Sequence, residues 1–87
     1  MKKYDFYYAI CNQYNPGIFA EQCAAIEKWV PGIKKGKLLE DADGSCWQTY
    51  THEKGEVEVE NSYYENEVNV RSDFDLLPYF GGCGDDV

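Results

Sequence analysis

The sequence predicts an α+β domain: an antiparallel sheet in the order β-α-β-β-β-β, one main helix packed on one face, and a short C-terminal helical turn. Three observations carry that prediction. Gly55-Glu56-Val57-Glu58-Val59-Glu60 alternates valine and glutamate, the period-2 pattern of a strand with one dry and one wet face. Phe19, Cys23, Ile26 and Val30 recur at spacings of 4, 3 and 4, which is a helical stripe. Asp43-Gly44 and Lys54-Gly55 punctuate the second half at hairpin intervals. One helix cannot cover two faces of a sheet, so the second face is expected to be wet.

Tyr4 to Cys11 is rich in strand formers. Tyr4, Phe6, Tyr8 and Ile10 share one face, and Asp5, Tyr7, Ala9 and Cys11 the other. Both faces are largely apolar, which places this strand in the middle of the sheet. Asn15-Pro16 reads as an N-cap followed by proline at the first helical position. The helix then runs to about Val30. Ile18, Ala25 and Trp29 widen its apolar stripe, while Glu21, Glu27 and Lys28 lie outside it. Pro31-Gly32 stops it, because proline cannot donate the next backbone hydrogen bond and glycine accepts a left-handed exit.

Gly32 to Lys37 is a basic loop, and Leu38-Leu39 opens a second strand that ends in the acidic stretch Glu40 to Ser45. Cys46 to His52 alternates again, with Trp47, Thr49 and Thr51 on one side and Cys46, Gln48, Tyr50 and His52 on the other. In the valine–glutamate strand Val57 and Val59 point inward. Glu56, Glu58 and Glu60 then form an outward row at intervals of about 6.6–6.8 Å. Asn61 to Asn66 turns the chain and carries Tyr63 and Tyr64. Glu67 to Arg71 is the last strand, with Val68 and Val70 inward and Glu67, Asn69 and Arg71 outward. Ser72 and Asp75 cap a short helical turn. Leu76, Leu77, Tyr79 and Phe80 dock it on the core until Pro78 and Gly81-Gly82 end it. Residues 1–80 therefore form a single domain, and 81–87 a flexible acidic tail.

The chain has 87 residues, a net charge of −8 and 16% aromatic residues, too much apolar material for a disordered chain. The charge is lopsided. Residues 1–37 hold six lysines against three acids, and residues 38–87 hold thirteen acids against two bases. Such a field repels nucleic acid and attracts basic proteins. Cys11, Cys23, Cys46 and Cys83 fit no compact metal-ligand spacing, and no cofactor is implied. Met1-Lys2-Lys3-Tyr4-Asp5 lacks the apolar run of a signal peptide, and no stretch approaches the roughly 20 apolar residues of a spanning helix. The expectation is a cytoplasmic protein with reduced thiols.

Catalytic readings find little support. His52 is the only histidine, so any Cys–His or Ser–His scheme must use it. Cys46 shares its strand face but stands about 20 Å away along the strand. A surface histidine among inert thiols is the preferred reading. Asp41-Ala42-Asp43-Gly44 imitates the opening of a calcium loop, but its glycine comes one carboxylate too early, and a tight turn explains it with less. The loop from Gly32 to Lys37 lacks phosphate-loop spacing and reads as solvated.

The acidic bias is sharpest between residues 53 and 75, where eight acids face two bases. Glu56, Glu58, Glu60 and Glu67 are expected to project from neighbouring strands, with Glu53, Glu65, Asp73 and Asp75 at the strand ends and Tyr63 and Tyr64 as rigid contact area beside them. A face that only blocked edge pairing would be served by mixed signs, so a partner-binding face is preferred. In size, charge and layout the chain resembles the small acidic phage-encoded inhibitors, the anti-CRISPR and anti-restriction proteins among them. That resemblance implies a non-enzymatic inhibitor in the cytoplasm of a bacterial host. Its partner would be a basic protein surface, such as the nucleic-acid channel of a defence nuclease, with neither nucleic acid nor membrane bound directly. The alternatives are an immunity protein that neutralises a toxin nuclease, a structural or assembly protein, and a small thiol- or histidine-dependent enzyme.

Overall fold

Val57 and Val59, the valines of the alternating stretch, are completely buried, and the sheet is assembled around them. The structure is a computed structural model that describes residues 3–84, with side chains described through Phe80. Its elements are β1 (Phe6–Cys11), α1 (Pro16–Trp29), β2 (Lys34–Glu40), β3 (Cys46–His52), β4 (Gly55–Ser62), β5 (Glu67–Ser72) and α2 (Leu77–Gly84). The strands form one antiparallel sheet in the order β1-β5-β4-β3-β2. The α+β class and the order of elements agree with the sequence reading.

The apolar face packs on α1. Ile26 and Val30 of α1 join Tyr50, Val57, Val59, Val70 and Leu76 in the core, and Tyr8, Phe19, Cys23, Ile33 and Phe80 pack around them. Burying each valine is worth about 1.5–3 kcal/mol. The N-terminal end of α1 is pinned twice. The Asn15 side chain accepts from the Ile18 amide at 3.0 Å, and the Asn15 amide donates to Asn61 Oδ1 of β4 at 2.9 Å. Gly32, with φ of 80°, makes the left-handed exit after the helix. At Gly55 φ is 143° and a Cβ would stand 2.5 Å from that of Asp73, so only glycine closes the β3–β4 hairpin.

Several expectations are corrected. The first strand is an edge strand paired with β5 alone, not the central one. Tyr7, on the open face, is 52% exposed and Ile10, on the groove side, 39%, because aromatic composition on both faces does not decide sheet order. The second strand begins at Lys34, inside the expected basic loop. All seven of its residues are exposed, so no apolar alternation betrays it. Both edge strands carry a β-bulge and β2 carries three lysines, devices that discourage pairing with another sheet. Trp29 is 42% exposed beneath the Lys28 ammonium rather than in the helix stripe. The backbone of α2 continues through Gly81-Gly82 to Gly84, so these residues belong to a helix and not to the expected tail. The rest of that tail, residues 85–87, lies outside the described residues. No helix among the described residues is long and apolar enough to cross a membrane.

Candidate functional site on the open sheet face

α1 and the segment leading into α2 lie on the same side of the sheet, where Tyr8, Gln22, Ala25, Val70, Leu76 and Phe80 line a shared groove. Among the described residues no helix or strand covers the opposite face. Strand register builds that face in rows. Tyr7, Arg71, Glu58 and Thr49 stand side by side across β1, β5, β4 and β3. The next row is Ala9, Asn69, Glu60, Trp47 and Leu39, and Glu56 lies beside Thr51 and Lys34 in the row beyond Glu58.

These rows do not present an even carboxylate array. Glu60 is only 7% exposed although no described helix or strand covers its face of the sheet. Its Oε2 accepts from Trp47 Nε1 at 2.8 Å, while Oε1 accepts from Asn69 Nδ2 at 3.0 Å and pairs with the Arg71 guanidinium at 3.1 Å. Glu67 takes the second hydrogen of Asn69 Nδ2 at 3.1 Å and a hydrogen bond from the Tyr7 hydroxyl. Burial, then Glu67, pushes the Tyr7 phenol up to about 12. Arg71 lies over the Tyr7 ring, 5.7 Å from its centre. Trp47, Glu60, Asn69, Arg71, Glu67 and Tyr7 thus form one polar network across four strands, a stiff floor for the face.

Glu58 is different. It projects from the same face and is half-buried, with no hydrogen bond or ion pair among the described residues. Burial holds its carboxyl above the usual carboxylate range. Glu60 and Glu56 push the same way, and together these outweigh the pull of Arg71.

The ten residues nominated from the sequence divide accordingly. Glu56 and Glu58 stand on the open face, Glu56 exposed. Glu60 and Glu67 are absorbed into the network. Asp73 closes the end of the sheet, its carboxylate accepting from the Glu56 amide at 2.8 Å. Glu53 is exposed in the β3–β4 turn. Tyr63, Tyr64 and Glu65 occupy the β4–β5 turn, at the other end of β4 and about 25 Å from Glu53. Tyr63 packs edge-on against Tyr14, and Tyr64 is 90% exposed. Asp75 leaves the acidic face altogether. It caps the amide of Leu77 and accepts from the Tyr8 hydroxyl on the helical side. The sequence reading omitted Tyr7, Trp47, Asn69 and Arg71 from the site. Alternation puts Asn69 and Arg71 outward and leaves the sides of Tyr7 and Trp47 unassigned; only the register joins the four to Glu60 and Glu67.

Among the described residues no group of three or more histidine, cysteine or acidic side chains is placed to hold a metal ion. Burial pushes the Cys23 and Cys46 thiols up, away from the thiolate form a nucleophile needs. The Lys54 amide donates to His52 Nδ1 at 3.1 Å, which fixes the tautomer with hydrogen on Nε2, and that hydrogen goes to the Pro31 carbonyl at 2.9 Å. No protein-family model, curated protein or solved structure matches this chain.

Proposed function

We propose that this protein is a small binding inhibitor that docks its open sheet face on a cationic protein surface, of the kind with which a defence nuclease holds nucleic acid. The observation that carries the reading is Glu58. A carboxylate kept half-buried among like charges gains on meeting a positive group, so the face is poised for a basic partner. Tyr7 and Trp47 flank it as aromatic anchors of the type that dominates interfaces. The polar network to which both belong keeps the face rigid, so little ordering is left to oppose binding.

The test compares partners captured from bacterial lysate by the wild-type protein, Glu58→Gln and a Glu56→Lys/Glu58→Lys variant, each at low and high salt. Support is a nucleic-acid-binding protein that is released by added duplex DNA, weakened by salt and lost from the lysine variant. Equal capture of the same proteins by all three forms would remove the proposal.

A further inference from the structure

A second site lies at the end of the sheet where the β3–β4 turn meets the α1–β2 connection and α2. A cleft of about 700 Å³ opens there, walled by Gly32, Lys34, Thr51, His52, Lys54 and Tyr79. Its volume is that of a site for a small organic molecule rather than for a single water. The walls are held in place. His52 is clamped through both ring nitrogens, packs against Gly32 and stacks on Phe74 with ring centres 4.8 Å apart. Lys54 Nζ is 3.1 Å from the Tyr79 hydroxyl and 5.7 Å from the centre of its ring.

The charge in this cleft runs against the molecule. The chain has sixteen acids for eight bases, so a lysine without a carboxylate neighbour is the less expected outcome. Lys34 and Lys54 nevertheless line one cleft, and among the described residues neither is ion-paired with a carboxylate. Glu53 is the single acid in the lining and pairs with neither of them.

We infer that this cleft binds a small molecule bearing a phosphate group. Two ammonium groups match a dianion better than a single carboxylate, and the Thr51 and Tyr79 hydroxyls add neutral donors for the remaining oxygens. With both nitrogens engaged, the His52 ring serves as a planar wall rather than as a proton donor. Glu53 opposes the ligand and limits its affinity. The cleft borders the acidic face, since Lys34 and Thr51 share a row with Glu56, but Glu58 does not line it.

The test is an amide chemical-shift titration of the 15N-labelled protein with inorganic phosphate, adenosine monophosphate and sodium acetate at matched ionic strength. Saturable shifts at Gly32, Lys34, Thr51 and Lys54 are expected with the phosphate probes and not with acetate. Lys34→Gln/Lys54→Gln should weaken binding at least tenfold, and Glu53→Gln should tighten it. Tighter binding of the ester identifies an organic phosphate as the occupant, and equal binding identifies free phosphate. The inference is overturned if neither phosphate probe saturates, if acetate gives the same shifts, or if the double glutamine variant binds as the wild type does.

Discussion

Arg71 stands directly across from Glu58 in the β4–β5 register, yet its guanidinium is bonded to Glu60, 3.1 Å away. The choice follows from solvation. Glu60 is buried beside Trp47 and Asn69, and an unpaired carboxylate there would be far costlier than one at the half-buried Glu58 position. Arg71→Met should therefore cost about 2 kcal/mol, the range of a charged hydrogen bond lost with its partner left buried. Urea unfolding checks it through a lower midpoint at unchanged slope. Replacing Glu60 by Gln in the same protein should recover part of the loss, because the orphaned charge is then gone. A change below about 0.5 kcal/mol would mean that the pair is only surface decoration.

Glu58 carries the opposite expectation. Its folded carboxyl is held above the ordinary 4.5, so the folded chain binds that proton more tightly than the unfolded chain does. Stability from this group is therefore complete below about pH 4.5 and is lost as pH rises through the folded value. At neutral pH the ionised side chain weakens the fold. Glu58→Gln is expected to raise the melting temperature at pH 7 by about 2–4 °C, equivalent to about 0.5 kcal/mol in a domain of this size. The wild type and the variant should converge near pH 4. A variant less stable than wild type at pH 7 would show that Glu58 has a cation after all, and would take away the support for a basic partner.

What could be read in advance divides along physical lines. Elements with a dry face were legible, because burial imposes a period: Val57 and Val59, Val68 and Val70, and the stripe from Phe19 to Val30 all fall where alternation or helical spacing put them. Local signals were legible too, and Asn15, Gly32 and Gly44 make the cap, exit and turn their chemistry favours. Strand order was not, because Tyr4 to Cys11 is equally apolar in the middle of a sheet or at its edge. Neither was the start of β2, because that strand has no dry side. The acidic face failed in an instructive way. Alternation told which carboxylates point outward, but pairing depends on register, and register placed Asn69 and Trp47 on either side of Glu60 with Arg71 within reach of it. Asp75 escaped for a related reason, since its side chain serves the start of α2 rather than the sheet.

The thiols separate the binding reading from the enzymatic one. Burial is the main force raising both Cys23 and Cys46, helped at Cys46 by Glu40 and opposed at Cys23 by a hydrogen bond from Tyr50. A raised thiol holds less thiolate at neutral pH, and thiolate is the form that reacts. Iodoacetamide at pH 7.5 should therefore modify these two residues at least about tenfold more slowly in the folded protein than in guanidinium, where the ordinary thiol value returns. Peptide mass spectrometry resolves the rate at each cysteine. Folded-state labelling of either residue as fast as in the unfolded chain would mean an activated thiol, and a thiol-dependent reaction would then have to displace the binding proposal. Slow labelling leaves the thiols as packing groups beside α1 and β3, which is the role their surroundings already describe.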